Sequence, residues 1–456
     1  MMNRGEGTCQ LRMNRFGKGG FSLALPVVGI FCLCLAVLSS GCRGRERTRA
    51  SGSNPSSETI KSPNPERTFT EDVAFLRQHV ETLVLESGPS RIAVVPAYQG
   101  RVMTSTAGGD TDMSFGWLNY EAIQQGVLRG QAAEGKLQAQ IHVFGGEERF
   151  WLGPEGGQFG IYFAPGAEFE FGAWKTPPSI DTEPFTIESQ SENEVVFRER
   201  MELVNHSGFR FDFAVQRKVS ILDRTEVEQV LNEPLGEEIK AVGYETVNQL
   251  TNLGQDAWTR ETGALSVWLL GMYKHSPETI VVIPINDSDQ EVLGPIVNDE
   301  YFGKVPGDRL KHQADVLLFR ADGQYRSKIG ISPDRSLGIA GSYAAETGTL
   351  NLVIYERPQS HDGYVNSMWE LQEAPFSGDA INAYNDGAPE PGADPLGPFY
   401  ELETSSPAAF LAPGESVRHV QQTIHLQGPQ EILDRISRRK LRLGLDAIGR
   451  SFTAPL

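Results

Sequence analysis

Two glutamates lie two residues apart near the C-terminal end of the chain, in the segment Phe399-Tyr-Glu-Leu-Glu-Thr-Ser405. In a β-strand, Glu401 and Glu403 project from one face with their Cα atoms about 7 Å apart, while Leu402 points away. Paired carboxylates can divide acid–base work, because each raises the pKa of the other. The spacing therefore predicts a general base at Glu403 or Glu401. The alternative is an edge strand with solvated glutamates.

A second concentration of polar and aromatic side chains lies between two glycine pairs, Gly145-Gly146 and Gly156-Gly157. Glycine pairs let the backbone turn tightly or approach a ligand closely. An aromatic ring can cover the apolar side of a sugar while Arg and Glu side chains bond its hydroxyl groups. The alternative is a glycine-rich turn with a buried Trp and an Arg–Glu pair. The predicted substrate-binding residues here are Glu147, Glu148, Arg149, Trp151 and Glu155.

Two further polar segments are candidates for Ca²⁺ or for sugar hydroxyl groups, because they carry oxygen ligands. One is His361-Asp362-Gly363-Tyr364, and the other contributes Asp379, Asn385 and Asp386 as predicted substrate-binding residues. The alternative is a set of Asx turns. Apart from this possible Ca²⁺, the sequence predicts no cofactor and no metal site. It contains no phosphate-binding loop, no HExxH motif and no nucleophile elbow.

The first 41 residues predict a cleaved signal peptide, with a basic start, an apolar run over 21–38 and the small residues Ser39-Ser40-Gly41. Cys42 follows, as in a bacterial lipoprotein signal, and is the predicted site of lipidation. Residues 42–67 are rich in Ser, Pro, Asn, Arg and Glu and predict a disordered tether. We expect a lipid-anchored protein of the cell envelope, on the periplasmic side or at the outer membrane.

Composition argues against a protein that depends on cysteine chemistry and against a nucleic-acid-binding protein. All four cysteines, Cys9, Cys32, Cys34 and Cys42, lie at or before the predicted cleavage site, so the mature domain is expected to have neither disulfides nor thiol catalysis. The formal net charge of −18 argues against nucleic acid as a partner. The sequence does not predict the oligomeric state.

Strand patterns dominate from residue 82 onward, which predicts an all-β fold of antiparallel sheets packed face to face over 68–428. Predicted strands include 194–201, 209–221, 264–270, 279–285, 314–320, 348–355 and 418–426. A capping box at Thr68 predicts a short helix from about Glu71 to His79. Residues 377–397 are predicted to be a loop by composition. Residues 429–456 are predicted to be a C-terminal helix and tail, with the basic helix packed on its own domain. The alternative is a helix that lies on a membrane surface.

Three segments resemble galactose-mutarotase-like, or aldose epimerase-like, proteins. The run from Phe399 to His419, with Leu411-Ala-Pro-Gly-Glu415 inside it, is similar to their C-terminal strand–turn–strand signature. Gly145-Gly146 with Arg149, Trp151 and Glu155 resembles their sugar-contact strand, and Gly100-Arg101-Val102 resembles an early strand. Over about Asp72 to Leu426, the chain more closely resembles a family of bacterial lipoproteins of unknown function.

The resemblance implies a β-supersandwich with a carbohydrate cleft, to which Arg101 would contribute. In aldose epimerases a glutamate removes the proton from the anomeric hydroxyl while a histidine protonates the ring oxygen. Glu403, or Glu401, stands where that base is expected. The segment matching the usual histidine motif, from Asn248 to Trp258, contains no histidine, so His275 is the substitute if folding brings it close.

The sequence thus predicts an exported, lipid-anchored protein that binds a carbohydrate and possesses an aldose epimerase-like site. Two alternatives stay open at this stage. One is a non-catalytic glycan-binding lipoprotein, and the other is a structural envelope protein without a ligand.

Overall fold

The computed structural model describes residues 67–108, 112–127, 140–359, 363–390 and 392–452. All of them belong to one compact unit. The predicted signal peptide, the lipidation site at Cys42, the tether up to residue 66 and the His361-Asp362 pair lie outside the described residues. Among the helices that the structure describes, none is both long and apolar enough to cross a membrane.

Helix α1 begins where the capping box predicts. The hydroxyl of Thr68 accepts the backbone N–H of Glu71, whose carboxylate in turn accepts the backbone N–H of Thr68. This reciprocal pair satisfies two of the free N–H groups at the helix start. Phe69, Val73 and Leu76 are buried along one side of the helix, which fixes it to the sheets. The helices are α1 (Phe69–His79), α2 (Tyr120–Gln125), α3 (Arg224–Leu231), α4 (Gln290–Leu293), α5 (Gln430–Leu441) and α6 (Leu445–Arg450).

Strands are the main element of the described chain, and every pairing between them is antiparallel, so the all-β prediction is confirmed. The strands are β1 (Leu83–Ser87), β2 (Ser90–Val95), β3 (Arg101–Thr106), β4 (Arg149–Gly153), β5 (Thr186–Gln190), β6 (Glu194–Val204), β7 (Arg210–Ile221), β8 (Lys240–Asn252), β9 (Ser266–Lys274), β10 (Thr279–Pro284), β11 (Leu310–Gln313), β12 (Val316–Arg320), β13 (Ser327–Ile331), β14 (Ile339–Ala344), β15 (Thr349–Tyr355), β16 (Ile381–Asn385), β17 (Phe399–Ser405) and β18 (Ser416–Gln427).

Three sheets make two packed layers. The larger layer is a ten-stranded sheet in the order β11-β12-β10-β14-β15-β18-β8-β7-β6-β5. Facing it are a five-stranded sheet, β13-β16-β17-β9-β4, and a three-stranded sheet, β1-β2-β3. A single antiparallel bridge between Val102 and Glu148 joins these two smaller sheets. The two layers form the sandwich of antiparallel sheets that the strand patterns predict.

Side chains of β17 show how the layers meet. Tyr400 points into the interface, where its hydroxyl bonds that of Ser342 in the ten-stranded sheet at 2.6 Å. Thr404 also points inward and donates its hydroxyl hydrogen to Gln421 Oε1 at 2.6 Å. Because side chains alternate along a strand, Glu401 and Glu403 project from the opposite, outer face of the five-stranded sheet.

The remaining face of the ten-stranded sheet is covered by helices. Leu231 of α3, Leu433 and Ile436 of α5 and Ile448 of α6 are buried in one apolar cluster with strand residues such as Leu350. Basic side chains of α5 pair with the same unit, for example Arg439 with Glu233 at 2.9 Å. The C-terminal helix therefore packs on its own domain, as predicted.

One prediction about local structure is wrong, and one long strand was missed. Residues 377–397 were expected to form a loop, yet they contain β16, all five residues of which are buried. Strand β8, the longest in the described chain at 13 residues, has no counterpart among the predicted strands.

Candidate functional site

The outer face of the five-stranded sheet collects side chains from distant parts of the sequence. Arg149 of β4 stands opposite Leu270 of β9, which stands opposite Glu403 of β17, and Glu403 stands opposite Asn382 of β16. Directly opposite residues in a sheet share a face. The register therefore places Arg149 and Glu403 on the same side, although 254 positions separate them. We call this surface the outer face.

Glu403 is held by two donors. The ammonium group of Lys328 on β13 lies 2.8 Å from Glu403 Oε2, and the indole N–H of Trp268 donates to the same oxygen at 3.0 Å. Lys328 also lies 5.0 Å from the centre of the Trp268 ring. Glu403 is only 1% exposed, so these contacts replace water as its polar partners.

Glu401 has a different environment. Its Oε1 lies 3.5 Å from Arg149 Nη2, a long contact for an ion pair between groups this deeply buried. Burial, and then the charge of Glu403, raise the pKa of Glu401 to about 8, while Arg149 and Lys328 oppose that shift. Glu401 consequently holds its proton to a higher pH than an ordinary glutamate, which suits it to donate one.

Glu155 lies in the loop after β4 and is half-buried. Its pKa is raised to about 7, mainly by burial, with Lys328 lowering it and Glu403 raising it further. Its backbone N–H donates to the hydroxyl of Ser367 at 3.1 Å, which ties this loop to the segment that follows residue 362.

The two tryptophans of the outer face are buried against each other. Trp151 and Trp268 are 3% and 6% exposed, and their rings meet edge-on with centroids 5.5 Å apart. The guanidinium carbon of Arg149 lies 3.8 Å from the centre of the Trp151 ring. One face of Trp151 is therefore occupied by Arg149 and is not free to stack on a sugar in this state.

A small cavity of about 20 Å³ lies over the outer face. That volume accommodates about one water molecule, whereas ligand pockets typically measure roughly 300–1,000 Å³. The site is thus covered, and the cover comes from the loop after β4 and from two segments of the chain near Tyr301 and near Ser367. The cavity is lined by Gly153, Glu155, Ser266, Trp268, Tyr301, Lys328, Val365, Ser367, Asp379, Asn382 and Ser405.

Two predicted substrate-binding residues are not on the outer face. Glu147 and Glu148 are fully buried between the layers. Glu147 accepts bonds from the Ser105 hydroxyl at 2.8 and 2.9 Å and contacts His425 Nε2 at 3.0 Å. Glu148 is paired with Arg217 at 2.9 Å and accepts from the Gln421 amide at 2.8 Å. The prediction that these two carboxylates face a ligand is corrected, because partners inside the sandwich already use them.

Arg101 is also fully buried, at the start of β3. One of its nitrogens, Nη1, donates to the backbone carbonyl of Gly145 at 2.9 Å. Burial, and then the positive charge of Arg149, lower the pKa of Arg101 to about 9. The structure thus brings Arg101 close to Arg149.

The predicted polar loop residues separate into two groups. Asp379 lines the cavity and accepts bonds from the hydroxyl of Tyr301 at 2.6 Å and the amide of Asn298 at 3.0 Å. Asn385 and Asp386 are fully buried. Asn385 bonds the backbone of Gly323 and Tyr325, each at 2.9 Å, and Asp386 accepts from the Tyr384 hydroxyl at 2.6 Å. No set of three His, Cys, Asp or Glu side chains in the described segments is arranged to hold a metal ion, so the structure offers no support for Ca²⁺ at these residues.

His275 lies away from the paired glutamates. Leu270 stands opposite Glu403, and β9 continues through Lys274, which stands opposite Phe399. His275 follows Lys274, five positions beyond Leu270, which corresponds to roughly 16 Å along a strand. Its ring instead lies against Gly323. The expectation that folding brings His275 to Glu403 is therefore not met.

Sequence reasoning missed Lys328 and Trp268, which contact Glu403 directly, and Tyr301, which bonds Asp379. Lys328 lies in Ser327-Lys-Ile-Gly-Ile331, a short segment whose strand character was not recognised. Trp268 lies in a predicted strand. Nothing in the sequence placed that strand beside Glu403, because the pairing of β9 with β17 joins segments more than 120 residues apart.

Solved structures that resemble the chain include a protein from Escherichia coli K12 provisionally named an aldose 1-epimerase, with 12% identity and a TM-score of 0.43, which covers 76% of this chain and 99% of that one. A galactose mutarotase-like protein from Lactobacillus casei gives 9% identity and a TM-score of 0.42 over 76% of this chain and all of that one. A galactose mutarotase related enzyme from Lactobacillus acidophilus has 9% identity and a TM-score of 0.40, and the match covers 76% of this chain and 97% of that one.

The solved structures are thus of the kind that the sequence resemblance implied. No curated protein matches the chain in sequence. The model of one family, described as "Family of unknown function (DUF6786)", matches residues 67–452. Because that match spans most of the sequence, the chain belongs to this family of unknown function.

Proposed function

We propose that this protein binds a carbohydrate at the outer face of the five-stranded sheet and interconverts the anomers of that sugar, as an aldose epimerase-like isomerase. One observation carries the proposal. The sheet register brings two buried carboxylates, Glu401 and Glu403, to one face together with the cations Arg149 and Lys328. Groups of this kind both bond sugar hydroxyls and move protons.

The two glutamates suit the two proton transfers that open a sugar ring. Glu403 is the base that takes the proton from the anomeric hydroxyl, and Lys328 and Trp268 fix its orientation through Oε2. Glu401, whose pKa is raised to about 8, carries a proton at neutral pH and gives it to the ring oxygen. The ring opens, the aldehyde carbon rotates, and reclosure on the other face reverses both proton transfers. Glu401 thereby takes the acid role that sequence reasoning assigned to His275.

Binding requires the cover of the site to open. Because the cavity of about 20 Å³ does not admit a pyranose, the segments carrying Tyr301 and Ser367 have to move away from Lys328 and Trp268. Their separation would also free the Trp268 ring for the apolar side of the sugar.

A second candidate function is glycan binding without turnover. It is favoured by the ion pair of Glu403 with Lys328, since a carboxylate already engaged by an ammonium group is a weaker base than a free one.

Substitution of the two glutamates separates these functions. A thermal-shift screen of the full chain against aldoses identifies ligands, and exchange NMR on each hit measures anomer interconversion. We expect Glu403→Gln to abolish catalysed exchange while binding changes little, and Glu401→Gln to slow exchange strongly. Glu202→Gln serves as the control, because Glu202 is an exposed glutamate paired with Arg210. Ligand binding with no catalysed exchange in the unmodified protein would establish the second function, and no binding of any sugar would refute both.

We also propose that the chain is exported and anchored by a lipid on Cys42, on the strength of the apolar run and small residues that precede this cysteine. Metabolic labelling with a fatty acid should label the wild-type chain in membranes of an expressing bacterium. The variant Cys42→Ser should remain unlabelled, and equal labelling of both chains would contradict the proposal.

A further inference from the structure

Two buried arginines face each other at the edge of the outer face. The antiparallel bridge between Val102 and Glu148 sets the register of β3 against the start of β4. One step along each strand, Arg101 therefore stands opposite Arg149. Arg101 is 0% exposed and Arg149 is 3% exposed. Like charges directly opposite in a sheet repel and destabilise it, so this arrangement calls for a compensating partner.

Most of the donor groups of these two arginines lack an acceptor. Arg101 bonds the Gly145 carbonyl through Nη1, but its Nε and Nη2 have no partner in the described part of the chain. Arg149 reaches Glu401 only through Nη2 at 3.5 Å, and its Nε and Nη1 are likewise unpartnered among the residues that the structure describes. Trp151 adds a third donor of this kind through Nε1. Buried polar atoms are nearly always bonded, so such a cluster is unusual.

The carboxylates around the arginines are engaged elsewhere or make only a long contact to them. Asp181 bonds His142 at 2.8 Å, and its charge favours the charged form of Arg101 without bonding the two free nitrogens of that arginine. Glu147 and Glu148 project into the sandwich, toward His425 and Arg217. Glu401 contacts Arg149 only through one bond of 3.5 Å, and burial raises its pKa, which weakens it as a counter-charge. Two guanidinium charges are thus buried without a full counter-charge, which is costly unless a ligand supplies one.

We propose that Arg101 and Arg149 form an anion subsite that binds the acidic group of a charged sugar, a carboxylate or a phosphate. This inference rests on the proposed function and names the class of its substrate. A guanidinium group matches the oxygens of a carboxylate or phosphate with two parallel bonds. The unpartnered Nε and Nη2 of Arg101 form such a parallel pair, and Arg149 adds single donors through Nε and Nη1. Because Arg149 contacts Glu401, an opening that brings the sugar ring to Glu401 also brings its acidic group to Arg149.

Matched pairs of neutral and acidic sugars test the subsite. We would titrate the full chain by calorimetry with galactose and galacturonate, glucose and glucuronate, and glucose and glucose 6-phosphate, with inorganic phosphate alone at equal ionic strength. The acidic member of at least one pair should bind about tenfold more tightly or better, the factor that corresponds to about 1.4 kcal/mol. The uronates and the phosphate ester distinguish the two sources of the anion.

Arg149→Gln should remove that preference, and Arg149→Lys, which keeps the charge but loses the planar fork, should retain part of it. Equal binding of neutral and acidic sugars would overturn the anion subsite while leaving the proposed function intact. Binding of inorganic phosphate without any sugar preference would also overturn it. Failure of every sugar to bind would refute the proposed function and the inference together.

Stability without ligand gives an independent readout. Since Arg149 lacks a full counter-charge, Arg149→Gln should leave the unfolding temperature unchanged or raise it. The control is Arg217→Gln, because Arg217 is equally buried but fully paired with Glu148, Asn248 and the Gly100 carbonyl. That variant should lower the unfolding temperature by several degrees. A similar loss in both variants would mean that Arg149 is a structural residue and would overturn the proposal.

Discussion

Glu401 and Glu403 show how one functional group acquires two roles from its contacts. Glu403 receives the Lys328 ammonium group and the Trp268 indole N–H at hydrogen-bonding distance. Glu401 has only a long contact to Arg149, and burial dominates its behaviour. A buried carboxyl group with few hydrogen-bond donors, such as Glu401, holds its proton. Glu403, which two donors hold in place, is an oriented proton acceptor.

The raised pKa of Glu401 predicts how stability depends on pH. From its usual value of 4.5, the pKa rises to about 8 on folding, so the folded chain binds more protons than the unfolded chain between these values. The contribution of Glu401 to the free energy of unfolding is therefore fully present below about pH 4.5 and is lost as pH rises toward 8.

Glu401→Gln removes this term, so the unfolding temperature of the variant relative to wild type should increase steadily from pH 5 to pH 8. Thermal unfolding of both proteins across that range provides the measurement. Parallel pH profiles would show that the Glu401 proton does not differ between the folded and unfolded states.

The Lys328–Glu403 pair yields a second prediction at this scale. Replacing Lys328 with Met leaves the Glu403 carboxylate buried without its cation, which should cost about 3–5 kcal/mol of unfolding free energy. The double variant Lys328→Met/Glu403→Gln removes the orphaned charge and should recover much of that loss. Urea unfolding of the four proteins measures the coupling, and additive losses would indicate that the pair does not interact.

Side-chain type alone could not assign the carboxylates on either side of β4. Glu147, Glu148 and Glu155 lie within nine residues of each other and have the same chemistry. The first two point between the layers because their hydrogen-bond partners lie there. Those partners come from three other strands and are Ser105, Arg217, Gln421 and His425. The paired glutamates of β17, in contrast, were assigned to one face correctly, since strand alternation is a local property.

At the scale of elements, the glycine pair before β4 positions Arg149. Gly145 has φ +86°, and a Cβ there would lie 2.3 Å from the backbone oxygen of Trp117. The segment can therefore lie this close to residue 117 only with glycine at this position. From that turn the chain enters β4 in the register that places Arg149 opposite Leu270.

Gly145→Ala should therefore be strongly destabilising. The left-handed backbone alone costs about 1–2 kcal/mol for a residue with a Cβ, and crowding should add roughly 1–3 kcal/mol. Gly166→Ala is the matched control, because Gly166 has φ +72° but open space around a Cβ. Chemical denaturation of both variants separates the two costs, and equal losses would argue against the close approach to residue 117.

The strands that were missed have a common physical cause. In β8 the buried face carries Thr246, Asn248 and Asn252 among its apolar residues, so the alternation of hydropathy that reveals a half-buried strand is broken. In β16 the polar Asn382 and Asn385 are buried as well. Strands whose inward side chains join polar networks look like loops when only composition is read. Strands whose inner faces are mainly apolar, such as β7 with Phe211, Phe213, Val215 and Val219 beside the single Arg217, were predicted nearly to their ends.

At the scale of the whole molecule, the two layers are joined by polar contacts as well as by apolar packing. Glu148 from the smaller layer meets Arg217 and Gln421 of the ten-stranded sheet. Glu147 meets His425, which in turn bonds Asn351 at 2.7 Å. Fully satisfied networks of this kind fix the relative position of packed layers, because only one alignment pairs every group.

This role predicts a marked asymmetry between single and double substitutions at the interface. Arg217→Gln leaves Glu148 as a buried carboxylate without its cation and should lower the free energy of unfolding by about 3–5 kcal/mol. Glu148→Gln in addition removes the uncompensated charge while an amide oxygen can still accept from Gln421, so the double variant should be more stable than Arg217→Gln alone. Equilibrium denaturation of the wild type, both single variants and the double variant closes the cycle. The contrary result would be a double variant that is the least stable of the four, with a loss of unfolding free energy equal to the sum of the two single losses. The hydrogen bonds of the network would then act independently and would not align the two layers as a unit.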